Sequence, residues 1–212
     1  MRNTLSSSFK FLIFIALLFL PASCTYNYNP DDPALPDAAV LNPVNDWMYR
    51  GSQPKEGDFS RIKAKGIRTV VNFRNEPGWV EWEKERVEKL GMKYVNLPWT
   101  IVRSVKPELL DDFFKVLDDP KNRPVLIHCK HGRDRTGVMT TLALMRYDKR
   151  TEADAREFAL GTIRPHRRYQ YFVSKKIDFF IKERPSLFFE SPAPDQKTPE
   201  PTPKASVSSP AA

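Results

Sequence analysis

Ten consecutive residues, His128-Cys129-Lys130-His131-Gly132-Arg133-Asp134-Arg135-Thr136-Gly137, set a thiol and a guanidinium with five residues between them, and a hydroxyl directly after. A cysteine at a strand end, a short loop and an arginine at the start of a helix make a phosphate-sized cradle. Successive backbone N–H groups converge on one anion there, backed by the helix N-terminus. The same field favours a thiolate, so Cys129 is expected to have a lowered pKa and to be nucleophilic near neutral pH. Arg135 can clamp two oxygens bidentately, which a lysine cannot do. Gly132 permits the tight backbone path. The Thr136 hydroxyl is placed to hydrogen-bond the thiolate, and His128 is expected to order the loop by hydrogen bonds. The expected anion-binding set is Lys130, His131, Gly132, Arg133, Asp134 and Arg135.

These groups work only if a rigid frame delivers them. Val125-Leu-Ile-His-Cys129 is apolar on both faces, the mark of a central parallel strand covered by helices. Between Asp37 and Arg184, strand and helix patterns alternate. Strands are predicted at 47–50, 67–73 and 92–97. Helices are predicted over 58–65, over 79–90 with its acids early, from Pro107 to about 119, over 137–147, from a Thr151 capping box, and over 169–183. This pattern predicts a three-layer α/β fold with a mainly parallel central sheet flanked by helices, whose ligands sit at the carboxyl ends of the strands. Trp79, Trp82 and Trp99 are candidates for the pocket wall or for core packing.

The segments outside 37–186 read differently. Arg2 and Lys10 precede an apolar run, Phe11-Leu-Ile-Phe-Ile-Ala-Leu-Leu-Phe-Leu20, about half the length a membrane-spanning helix needs, followed by small residues. Residues 1–23 are therefore expected to be a cleaved signal peptide. Ala22-Ser23-Cys24 at its end resembles the lipobox of bacterial lipoproteins, although Pro21 stands where that family usually has leucine. The resemblance implies an exported protein lipidated at Cys24, anchored on the periplasmic face of a bacterial envelope. Residues 24–36 read as a tether, and 187–212, with Pro192, Pro194, Pro199, Pro201, Pro203 and Pro210, as a solvated tail.

The loop with its preceding strand, its His before Cys, Gly132 and Arg-Thr-Gly resembles the signature of cysteine-dependent protein phosphatases, most of all the compact dual-specificity group. The resemblance begins at Trp47-Met-Tyr-Arg-Gly-Ser-Gln-Pro54 and runs to Glu183. It implies a phosphatase acting on phosphotyrosine-type esters, phosphoinositides or other polyanionic phosphates. Cys129 would form a cysteinyl-phosphate and Arg135 would stabilise the transferring oxygens, with no metal and no cofactor. The family's general acid normally lies on the loop after the 92–97 strand, but Pro98-Trp-Thr-Ile-Val-Arg-Ser-Val-Lys106 has no carboxylate. Glu108, Asp111 and Asp112 come next in the chain. Asp134 is the preferred acid, since relatives with Asp immediately before the Arg are thought to use it. The missing loop acid keeps a second reading open, a pseudophosphatase that holds phosphate without turnover.

Charge narrows the partners. Residues 40–185 hold 30 Lys plus Arg against 20 Asp plus Glu, so the basic excess lies in the predicted catalytic domain. His128, Cys129, His131 and His166 lack paired ligand spacing, so no metal site is expected. Arg164-Pro-His-Arg-Arg168, with Lys130, His131 and Arg133, lacks interleaved aromatics and is not read as a nucleic-acid surface. It reads as a solvated face or a rim that draws in a phosphorylated protein or an acidic phosphate ester. A monomer is expected, touching the membrane only through its lipid anchor.

Overall fold

The structure, a computed structural model, describes residues 40–161 and 163–189. The expected signal peptide, Cys24, the expected tether and the proline-rich stretch beyond 189 lie outside the described residues. In chain order the elements are β1 (Asn42–Pro43), β2 (Met48–Gly51), α1 (Asp58–Ala64), β3 (Thr69–Asn72), α2 (Pro77–Lys89), β4 (Lys93–Asn96), α3 (Glu108–Asp118), β5 (Val125–His128), α4 (Asp134–Tyr147), α5 (Glu152–Arg156) and α6 (Gln170–Glu183). A π-helical turn, Glu157–Gly161, follows α5.

The strands form one sheet in the order β1-β2-β5-β3-β4, antiparallel only between β1 and β2. The last of the described strands thus takes the central place. All four residues of β5 are buried, which is why Val125, Leu126 and Ile127 can be apolar in unbroken succession. Leu126 points with Val70 into a cluster that Phe59, Ile62 and Val87 of α1 and α2 complete. Val125 and Ile127 point the other way, into a larger cluster built by α3, α4 and α6. On α3, Leu110, Phe113, Phe114 and Leu117 repeat at helical spacing and are the residues buried. The three-layer expectation is met.

Register decides where the loops meet. Gly51 of β2 and Asn72 of β3 are both paired with His128 of β5. Three parallel strands therefore end level, and the chain after each of them emerges at the same edge, beside Cys129.

Four details differ from the sequence expectation. The helix expected over 137–147 starts at Asp134, because the loop runs directly into its first turn and carries Arg135 and Thr136 with it. The acids expected early in the 79–90 helix are absent from its first turn, which Pro77 opens at a position where a missing N–H costs nothing. Thr151 does cap a helix, accepting from Asp154 N at 3.2 Å, but α5 gives way to the π-helical turn after Arg156. The folded part also runs past residue 186. Leu187 and Phe188 pack on the larger core, and the Phe188 ring lies 6.1 Å from that of Phe114, edge to face.

Phe113 is fully buried between Phe73 and Phe114, with ring centroids at 5.6 and 5.5 Å. Phe113→Ala is expected to lower the unfolding free energy by about 3–5 kcal/mol in urea titration, since close packing on both sides lets the cavity collapse only in part.

Candidate active site

Cys129 follows β5 directly and is buried. Burial pushes its thiol up. The Arg135 guanidinium, the hydroxyl and N–H of Thr136 and the N–H of His131 pull it down, and the balance leaves it below the ordinary thiol range. The loop is shaped so that its amides face this thiol. The Lys130 carbonyl points outward and accepts from Gln53 N at 3.2 Å. In a trans peptide the C=O and N–H point in opposite directions, so the His131 N–H turns inward. Gly132 has φ +67°, and a Cβ there would lie 2.6 Å from the Gly51 carbonyl carbon and oxygen. Both the left-handed conformation and the close approach of β2 require glycine.

Arg135 is held rather than free. Its Nη1 donates to the carbonyls of Phe73 at 3.0 Å and Trp99 at 3.2 Å, with Asn75 Oδ1 at 3.4 Å. All its acceptors among the described residues meet Nη1, which leaves Nε and Nη2 for an anion. The chain after β3 and the chain after β4 thus position an arginine that belongs to α4. Trp79 and Trp99 are buried core residues, and Trp99 reaches the site through its backbone alone.

Asp134 lines the cavity above the loop, about 300 Å³, together with Asn75, Ile101, His131, Arg135 and Tyr169. Burial raises its carboxyl above the ordinary range, against the lowering effect of His166 N, which donates to Oδ1 at 2.9 Å, and of Arg135 and Arg133. The rival acids are elsewhere. Arg184 grips Asp111 through Nε and Nη2 at 2.7–2.9 Å and stands 3.6 Å from Glu108. Asp112 is exposed on α3.

Behind the loop lies a polar cluster that sequence reasoning missed. His128 Nδ1 is 3.3 Å from the Cys129 carbonyl, and Nε2 is 2.8 Å from Glu83 Oε1, in contact but not aligned as a hydrogen bond. Glu83 Oε2 accepts from Asn72 Nδ2 at 2.6 Å, and Asn72 Oδ1 accepts from Arg74 N at 2.7 Å. Glu83 and His128 are completely buried. Glu83 shares one face of α2 with Trp79 and Val87, each four residues away, and a carboxylate on an apolar stripe is the signal that would have found it.

The mouth of the cavity is cationic. Lys130, Arg133, Arg164, Arg167 and Arg168 have no carboxylate partner among the described residues, whereas Arg61, Arg86, Arg146, Arg156 and Arg184 each have one. A second cavity of about 340 Å³, lined by Arg133, Arg164, Arg167 and His166, adjoins the first. Burial, with Lys130, His166, Arg133 and Arg135, brings His131 down to about 4, so it is neutral at physiological pH. Among the described residues no three His, Cys, Asp or Glu side chains stand close enough to hold a metal.

A family model described as "DSP-PTPase phosphatase fused to NAD+ Kinase" matches residues 36–168. Inositol diphosphatase DSP2 of Oryza sativa subsp. japonica is 31% identical over 118 residues, 51% of this chain and 57% of that protein. Dual specificity protein phosphatase TpbA of Pseudomonas aeruginosa (strain UCBPP-PA14) is 25% identical over 95 residues, 45% of this chain and 41% of that one. The chain thus spans about half the length of these relatives. The crystal structure of P. aeruginosa TpbA shares the fold, with a TM-score of 0.56 at 19% identity over 74% of this chain and 98% of that chain.

Glu83→Ala is expected to cost about 3–5 kcal/mol of stability in chemical denaturation, because it strands buried polar groups of His128 and Asn72. A loss below about 1 kcal/mol would show that the cluster does not tie α2 to the loop.

Proposed function

The chain belongs to the DSP-PTPase phosphatase family whose model spans residues 36–168, and from that premise we propose that it hydrolyses phosphate monoesters through a cysteinyl-phosphate. The observation that carries the proposal is the depressed Cys129 thiol inside a loop of inward amides, with two guanidinium nitrogens of Arg135 left for an anion. The Cys129 thiolate attacks phosphorus, an S–P bond forms, and the ester P–O bond breaks. Asp134 gives its proton to the leaving oxygen. Water then attacks phosphorus and its proton passes to Asp134. The S–P bond breaks, and the Thr136 hydroxyl and the loop amides receive the returning thiolate. Lys130, His131, Gly132 and Arg133 shape the cradle, and Arg135 holds oxygens whose charge rearranges in the transition state. A phosphate binder without turnover has no use for an activated thiol beside a carboxyl whose pKa is raised by burial.

For the substrate, the five unpaired cations at the mouth favour a multiply phosphorylated or acidic ester over an isolated monophosphate. The relatives' names, inositol diphosphatase and dual specificity protein phosphatase, cover both kinds. Arg164→Ala is expected to lower kcat/KM for a multiply phosphorylated ester about tenfold at low salt and to leave an aryl monophosphate within about twofold. Equal losses on both would assign Arg164 to general loop support instead. We further propose export and lipidation at Cys24. Cys24→Ser should move the protein from the membrane to the soluble fraction, and an unlipidated mature N-terminus in the parent would refute the anchor.

The pH dependence follows from the two shifts. The thiol must be ionised, so kcat/KM rises with pH through the lowered Cys129 value. The carboxyl must be protonated, so the rate falls as pH rises through the raised Asp134 value, giving a bell. Cys129→Ser should abolish phosphate release. Asp134→Asn should remove the falling limb and cost about 10²–10⁴-fold with an alkyl phosphate but far less with an aryl phosphate. An unchanged alkyl phosphate rate would eliminate Asp134 as the acid, and absence of turnover in the reduced parent protein would leave the binder reading.

A further inference from the structure

Arg50 joins the loop to the π-helical turn that follows α5. It lies on β2, two residues after Met48 and on the same core-facing side, and is only 2% exposed. Its Nη2 donates to the Gly132 carbonyl at 2.8 Å and its Nη1 to the Ala159 carbonyl, in the π-helical turn, at 2.6 Å. No carboxylate pairs with it among the described residues. This is unusual, because a buried cation costs several kcal/mol unless an anion or a full set of acceptors offsets it. Two carbonyls satisfy part of the guanidinium, and Nε has no partner.

The acceptor at Gly132 matters because of the peptide that follows. With its carbonyl drawn outward by Arg50, the Gly132–Arg133 unit must turn the Arg133 N–H inward, toward the anion position. Gln53 N does the same for the Lys130–His131 unit from the same segment. Attraction to Cys129 favours the charged guanidinium, whereas the thiol itself is lowered chiefly by Arg135, Thr136 and the His131 N–H. Burial brings the guanidinium down to about 10 and attraction to Cys129 acts the other way, so it stays charged at neutral pH.

We propose that Arg50 is a positioning residue for the phosphatase chemistry: it fixes the Gly132–Arg133 peptide with its amide inward and is the buried cation that balances the Cys129 thiolate from behind the loop. This rests on the phosphatase reading only for its effect on turnover. The charged and titratable groups of the loop and its surroundings are Arg50 from β2, His128 from β5, Lys130, His131 and Arg133 in the loop, Asp134 and Arg135 from α4 and, beyond Arg135, Glu76 ahead of α2. Of the two arginines, Arg135 lines the cavity and Arg50 is buried in protein.

The test is alkylation of Cys129 by iodoacetamide in the full chain, followed at the Cys129 peptide by mass spectrometry across pH, beside kcat/KM for an aryl phosphate. Arg50→Met is expected to move the alkylation midpoint up by about one pH unit or more, in the range of a single close charge. Arg50→Lys keeps the charge but cannot bridge both carbonyls. It should hold the midpoint within about 0.3 of a pH unit, a figure set by the charge argument, while lowering kcat/KM about tenfold or more by misplacing the Arg133 amide. Circular dichroism and thermal melts establish that each variant is folded. If Arg50→Met does not fold, the Arg50→Lys pair of readouts decides. A shifted midpoint in folded Arg50→Lys, or a wild-type midpoint in folded Arg50→Met, overturns the proposal. Alkylation needs no turnover, so a protein that alkylates as expected yet releases no phosphate would refute the phosphatase reading and leave the role of Arg50 in the loop intact.

Discussion

A loop that holds an anion must point its N–H groups inward, and a planar peptide then sends the carbonyls outward, where something has to donate to them. Much of the fold serves that requirement. Gln53 N and the Arg50 guanidinium meet the carbonyls of Lys130 and Gly132, and both donors come from β2 and its exit. β2 can supply them because it runs parallel to β5 and ends level with it. The glycine at 132 is the other half of the same fit, since the β2 backbone occupies the space its side chain would need. On the opposite side the chain exits of β3 and β4 provide carbonyls for one nitrogen of Arg135. The sheet order places β5 between these two sources, so the cradle is built by strand ends that are distant in sequence.

The second requirement is electrostatic. Cations gathered round a buried thiol repel one another, and in most of the fold arginines are offset by carboxylates. Near the loop they are not. The Glu83 carboxylate is kept behind His128 and Asn72, where it anchors α2 to the ends of β3 and β5. Glu76 is tied to Arg74, which stacks on Trp79 at 4.5 Å. Glu83 and Glu76 are thus held at the back and flank, and the open face keeps the cations together with the carboxyl of Asp134. A fold with such an imbalance is less stable than a neutralised one. The extensive apolar packing on both faces of β5 offsets that cost.

What the sequence revealed was what is local. The apolar run before Cys129, the spacing to Arg135, Gly132 and the helical stripe of α3 each lie within a few residues of the feature they define. The start of α4 shifted by three residues because the loop is already in the α region at Arg133, and no capping side chain announces the boundary. Arg50, Gln53, Asn75 and Glu83 escaped notice because their partners are remote. Arg50 bonds to Gly132 and Ala159, 82 and 109 positions along the chain, and Arg135 to Asn75 across 60. A single polar residue on an apolar face marks such a position, as at Arg50 after Met48 or Glu83 after Trp79, but it does not name the partner. The basic run at 164–168 was visible, whereas its convergence on Arg133 depends on the turn after α5 folding back over α4.

The absence of an acid on the 98–106 loop changes what the remaining groups must do. If Asp134 is the proton donor, nucleophile and acid sit five residues apart on one loop, and they must hold opposite protonation states at one pH. Two environments separate them. The thiol lies at the focus of amides and Arg135, which outweigh its burial, while at Asp134 burial outweighs the His166 N–H and the nearby cations. Because the acid is part of the cradle, no second loop has to close over the substrate to deliver the proton. The 98–106 segment is then free to serve as a wall, with Ile101 and Val102 along the cavity and Lys176 fastening the Arg103 carbonyl at 2.8 Å. For the multiply phosphorylated ester proposed as substrate, an open mouth rimmed by unpaired cations avoids the repulsion that a lid bearing a carboxylate would add as the ester entered.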